Sequence, residues 1–174
     1  MGYSTEFVGR FNLDRPLLPE HAAYLTQFNE TRRMKRKSDH PNLKNDPVRL
    51  AAGLPVGAEG EFYVGATGFM GQDQCKSIAD FKRSPSTQPS LWCQWVPTED
   101  GTGIEWDGGE KFYEYTKWLT YIVDNFLRPW GYVLNGRVSF QGEQDDDRGE
   151  VVVVDNVVTR EKLVELTDAQ PGAL

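Results

Sequence analysis

Trp92, Trp95, Glu105 and Trp106 are the residues whose types and spacing point most directly to binding chemistry. Leu91–Val96 and Ile104–Trp106 read as two strands joined by the turn Glu99–Gly103, and on paired strands alternate residues share a face. Indole rings beside a carboxylate on such a face stack on, and hydrogen-bond to, a planar ligand or a partner's side chain. The weightier alternative is plainer: the rings pack beneath a neighbouring helix, as aromatics do in a ring-rich core. A second cluster, Glu143, Asp145, Asp146, Asp147 and Glu150, concentrates negative charge at a hairpin tip. It offers closely spaced acids to a basic partner, but a solvated turn that discourages edge-to-edge pairing explains it more simply. It lacks the alternating ligands and glycine placement of a calcium loop.

Catalytic chemistry has thin support. His21 and His40 are the only histidines, and neither has a second His or a Cys at metal-ligand spacing. His21 sits beside Ala22 and Leu25 and reads as a histidine at the core edge. Gly65, Gly68 and Gly71 follow an expected strand, but their order is not that of a dinucleotide-binding turn and no helix pattern follows. Cys93 falls in a strand and reads as buried and inert; Cys75 falls in an unpatterned loop near Lys76 and Lys82. The basic run Arg32, Arg33, Lys35, Arg36 and Lys37 has no interleaved aromatics, so a helix end facing the protein's own acids is a better reading than an anion site. The residues imply no metal and no cofactor.

The elements that must position these groups follow from periodicity. Thr5–Leu13 alternates as a strand, with Phe7, Gly9, Phe11 and Leu13 on one face. Pro19 and Glu20 start a helix whose stripe is Leu18, Ala22, Leu25 and Phe28, running out in the basic residues. Asp46-Pro47 through Ala52, closed by Gly53, predicts one short helix within a proline-punctuated region over 38–60. Glu61–Ala66 reads as a strand, and 67–90 as a long irregular loop. Asp107 with Glu110 predicts a capped helix carrying Phe112, Tyr115, Leu119, Ile122 and Phe126, stopped by Arg128-Pro129. Val133–Gln141 alternates, Val151–Val154 is continuously apolar as in a strand buried on both faces, and Gly142–Gly149 joins them. A short helix is expected over 162–166, before a frayed tail at 167–174.

At 174 residues with 39% hydrophobic content, one domain with one core is expected. Its class is α+β: a largely antiparallel sheet of five or six strands with two main helices on one face, in a βαββαβ, ferredoxin-like order with extra strands. The net charge of −7 disfavours nucleic-acid binding by the surface as a whole. It is uneven: residues 1–50 hold nine Lys/Arg against six Asp/Glu, and the rest hold ten against twenty. Two cysteines, no leader-like start and no apolar run near membrane-spanning length predict a soluble, cytoplasmic protein with no membrane partner.

Three stretches, Leu91–Pro97, Gly103–Tyr113 and Pro129–Gly136, resemble a family of small proteins from bacteria and their phages. The resemblance extends over most of the chain and attaches no activity, so it implies only a mobile-element setting. The expectation is an acidic interaction protein whose hairpin tip and aromatic surface engage a basic host protein. The alternative is a small enzyme or ligand-binding domain with an aromatic and carboxylate pocket between the sheet and the 67–90 loop. A homo-oligomer joining the basic run to the acidic tip is a third.

Overall fold

The computed structural model describes residues 2–65 and 76–163. Six strands form one sheet in the order β4-β5-β1-β6-β7-β8, with every neighbouring pair antiparallel. These are β1 (Glu6–Leu13), β4 (Trp95–Pro97), β5 (Gly103–Trp106), β6 (Leu134–Gln141), β7 (Arg148–Val154) and β8 (Val157–Lys162). Two short strands, β2 (Lys35–Arg36) and β3 (Ile78–Asp80), make a separate ribbon. The helices are α1 (Pro19–Glu30), α2 (Pro47–Ala51) and α3 (Tyr115–Ile122). Alternation along β1 buries Phe7 and Phe11 while leaving Val8 74% exposed on the other face. One contiguous core joins those rings to Tyr24, Leu25 and Phe28 of α1 and to Trp118, Leu119 and Ile122 of α3. The α+β class and the antiparallel sheet therefore stand, and no helix among the described residues is long and apolar enough to cross a membrane.

Helix boundaries moved for identifiable reasons. In α1 the buried stripe uses Tyr24, Leu25 and Phe28, while Leu18 is 51% exposed. The helix ends at Glu30, so the basic run is not its last turn; Lys35 and Arg36 instead enter β2, and Arg33 and Arg36 are buried. The second main helix starts at Tyr115 rather than after Asp107. Gly108, Lys111 and Glu114 take φ values of 84°, 57° and 58°, which no α-helix accommodates. The Asp107 carboxylate caps nothing; it accepts hydrogen bonds from the Gly109 amide (2.7 Å) and Asn29 Nδ2 (2.9 Å). Phe112, Leu119, Ile122 and Phe126 are nonetheless all buried, as their spacing requires. Arg128-Pro129 does not stop the helix. The chain passes through a π-helical turn, Val123–Leu127, into a final turn α4 (Arg128–Trp130), where Pro129 sits near the start and needs no amide donor. Gly131, left-handed at φ 88°, ends it.

Strand expectations also shifted. Glu61–Gly65 is not a strand, because side chains take its carbonyls: Arg33 Nη2 donates to Glu61 O (3.0 Å) and Tyr63 O (2.7 Å), Tyr24 Oη to Phe62 O (2.7 Å), and Gln27 Nε2 to Val64 O. Leu91–Gln94 is irregular, and β4 begins only at Trp95. Within 76–90, expected to be loop, β3 pairs with the former basic run. Thr159–Lys162 lies in β8, so a helix starting at 162 is overturned there; the rest of that expectation, the tail, and Gly68, Gly71 and Cys75 lie outside the described residues. Val151, Val152 and Val153 are all buried, as a two-sided strand requires. Gly149 is obligatory in β7: a Cβ there would stand 1.9 Å from Glu161 O on β8.

Candidate ligand-binding groove

A groove of about 620 Å³ opens beside β4. One wall is the irregular stretch Ser90–Gln94, another is Lys82–Ser84 leaving the β2–β3 ribbon, and the third is the Glu110–Tyr113 loop before α3. Each wall is pinned by named bonds. Arg33 N donates to Leu91 O (2.8 Å) and Asn29 Nδ2 to Cys93 O (2.8 Å), fixing the first. Trp118 Nε1 donates to Ser90 Oγ (2.7 Å) from α3. Lys35 N donates to Arg83 O (2.7 Å) and Lys82 N to Asp80 Oδ1 (2.9 Å), which holds the second. Gln94 Nε2 donates to Glu110 O (2.7 Å) while its Oε1 accepts from Trp106 Nε1 (3.0 Å), tying the third wall to the sheet. At a separate depression lined by Thr87, Gln88 and Tyr121, buried Glu61 accepts from Tyr121 Oη (2.7 Å) and Thr87 Oγ1 (3.0 Å), and Gln88 Nε2 donates to Tyr121 Oη (2.9 Å). Burial and the bond to Glu61 push the Tyr121 hydroxyl far above its ordinary range, so it stays a protonated donor.

The groove is basic in an acidic protein. Among the described residues, Arg32, Lys82, Arg83 and Lys111 line it against a single carboxylate, Glu110. Arg32 is committed: its Nε donates to Phe81 O (3.2 Å) and its guanidinium lies 4.3 Å over the Phe81 ring. Arg83 makes one loose, exposed ion pair with Asp80 at 3.7 Å. Among the described residues, Lys82 and Lys111 form no ion pair, and the Glu110 carboxylate has no bonded partner.

The five tryptophans separate cleanly. Trp95, Trp106, Trp118 and Trp130 donate their indole N–H to Tyr115 O, Gln94 Oε1, Ser90 Oγ and Ala52 O, and each ring packs against another aromatic. Trp92 alone has neither an indole hydrogen bond nor an aromatic neighbour among the described residues, and it faces the groove. Tyr113, also lining it, is 46% exposed.

The residues singled out from sequence are thus dispersed. Trp95 is core, packed edge-on against Phe7 and Phe11. Trp106 packs on Phe7, partly buried. Glu105, between Ile104 and Trp106 on β5, points to the opposite sheet face, where it lines a shallow depression with Arg10 and Asp100. At the acidic tip, Asp147 accepts from Tyr3 Oη (2.6 Å) and Arg160 Nη2 (3.0 Å), and Glu143 accepts from Ser4 N (2.5 Å); Asp145 and Asp146 remain exposed. His21 stacks on Trp130 at 3.9 Å and its Nδ1 lies 2.8 Å from Tyr132 Oη, at the core edge. Burial pushes the Cys93 thiol up to about 12, which makes it a poor nucleophile. Among the described residues no three His, Cys, Asp or Glu side chains come together as a metal site.

Sequence reasoning missed Lys82, Arg83, Glu110, Lys111 and Tyr113. The one local signal was the unusual backbone at Lys111, and single-sequence patterns do not carry φ. No protein family, curated protein or solved structure matches this chain.

Proposed function

We propose that this chain is a binding protein that takes a small flat ligand in the groove beside β4. The observation that carries this is Trp92: an indole with no internal partner among the described residues, in a protein that satisfies its other four. The volume falls within the range of roughly 300–1,000 Å³ usual for small-molecule sites. The lining brings no nucleophile and base within hydrogen-bond reach among the described residues, so binding is favoured over turnover. The element order β1-α1-β4-β5-α3-β6, with those strands arranged β4-β5-β1-β6, supports a ferredoxin-like reading extended by β7 and β8. That architecture hosts many activities and adds nothing to the functional argument. Capture of a basic protein by the hairpin keeps only Asp145 and Asp146, since Glu143 and Asp147 bond the N-terminal arm and Glu150 pairs with Arg137.

The test is a titration followed by the indole N–H resonances in a nitrogen–proton NMR spectrum, with Trp92→Phe assigning its signal. Naphthalene sulfonate, a flat anion, should shift the Trp92 resonance saturably and leave the other four in place. Methanesulfonate, which lacks a ring, should not. Shifts shared by all five indoles, or a silent Trp92, would remove the groove from consideration.

A further inference from the structure

We infer that the groove takes a nucleoside monophosphate, its base against Trp92 and Tyr113 and its phosphate held by Lys82, Arg83 and Lys111. This rests on the groove being a ligand site and adds what the ligand must carry.

Charge comes first. Among the described residues, a chain of net charge −7 has gathered four cations and one carboxylate into a single concavity. Two of those cations, Lys82 and Lys111, lack any carboxylate partner among the described residues, and Arg83 has only a loose surface pair. Clustered like charges repel, and an anionic ligand relieves that repulsion while gaining charge-assisted hydrogen bonds. Lys111 is moreover held at φ 57°, a conformation disfavoured for a residue with a Cβ, three residues before a second left-handed residue, Glu114. Backbone strain of this kind concentrates where a side chain must be aimed.

The rest of the lining defines the neutral part of the ligand. Inorganic phosphate alone would leave most of 620 Å³ empty and the Trp92 ring unused. The Glu110 carboxylate among the cations is free to accept hydrogen bonds, and the Trp92 indole N–H is free to donate one, neither having a partner among the described residues. A ligand that uses all of these is planar and aromatic, anionic at one end, and carries N–H or O–H donors and a ring acceptor. A nucleotide has each feature. A single-stranded polymer fits less well, because it requires successive stacking platforms along a basic track. Here the described lining offers one tryptophan and one tyrosine, and the remaining surface is acidic.

The experiment is calorimetric titration of the full chain with the four ribonucleoside monophosphates, the matching nucleosides, inorganic phosphate and a short single-stranded oligonucleotide. At least one monophosphate should bind one to one, about tenfold or more tighter than its nucleoside and than inorganic phosphate, since charged hydrogen bonds carry the difference. Lys111→Gln and Lys82→Gln should each weaken the monophosphate several-fold and leave the nucleoside unchanged, a pattern that misfolding does not produce. Equal affinity for nucleoside and monophosphate overturns the inference, as does an oligonucleotide binding tenfold tighter than any monomer. Should every nucleotide fail while naphthalene sulfonate still shifts Trp92, the inference falls and the groove reading survives. Should both fail, the groove reading itself is lost.

Discussion

The hairpin tip and the groove invert each other. The tip packs its charges closely in sequence, yet three of its acids are consumed inside the molecule: Asp147 by Tyr3 and Arg160, Glu143 by the Ser4 amide, and Glu150 by Arg137. The groove draws its charges from three separate segments, and there Lys82, Lys111, Glu110 and the Trp92 indole are left without partners among the described residues. Charge density along a chain is thus a poor guide to where a surface is available, while unsatisfied groups around a concavity are a better one. The two regions also meet, since Tyr3 bonds Asp147 through its hydroxyl and donates its amide to Tyr113 Oη (3.2 Å) at the groove wall.

The tryptophans give the largest test of this contrast. Trp118→Ala, which removes a fully buried ring and the bond to Ser90, should lower stability by about 3–5 kcal/mol in urea denaturation. Trp92→Ala should change it by less than about 1 kcal/mol while abolishing ligand-induced shifts. Similar losses for both would mean that Trp92 is structural. At the tip, Asp147→Asn takes the charge and one of two acceptor oxygens from a part-buried group bonded to Tyr3 and Arg160 and should cost about 1–2 kcal/mol. Asp145→Asn or Asp146→Asn should stay within about 0.5 kcal/mol. A reversed order would show the tip's acids to be strained rather than bonded.

The smallest effect concerns acid. Hydroxyl bonds from Thr102 and Thr98 hold Asp100 down to about 2, and the Ser86 hydroxyl and amide, with Lys35, hold Glu59 down to about 2. Both lie below their ordinary values, so each stabilises the fold above about pH 4 and that stabilisation is lost as pH falls toward 2. Asp100 is exposed and Glu59 partly so, and solvent limits the effect. Urea midpoints measured across this window should fall less steeply for Glu59→Gln than for the parent; parallel curves would sever the link to Ser86 and Lys35.

Legibility followed the range of the forces involved. β1, β6 and β7 were readable because alternation and apolar runs are local consequences of burial. The face of α3 was readable, but its start was not: Asp107 and Glu110 form a capping pattern that the left-handed Lys111 and Glu114 override. Glu61–Gly65 carries strand-forming residues, yet its carbonyls were claimed by Arg33, Tyr24 and Gln27 from elsewhere in the chain. Trp92 was legible as a candidate, its separation from Trp95, Trp106 and Glu105 was not, and Lys82 and Lys111 meet only through tertiary packing.

The widened turn at Val123–Leu127 resets the register of the chain beyond it. A turn of that kind holds one more residue than an α-helix allows, which advances everything beyond it by about 100° around the axis. Trp130, three residues beyond the turn, stacks on His21 at 3.9 Å, and Pro129 lies at the start of the final turn, so both positions carry that surplus. Removing any single residue from the turn should therefore dislodge a tryptophan whose own sequence is untouched, visible as a lost near-ultraviolet dichroism signal.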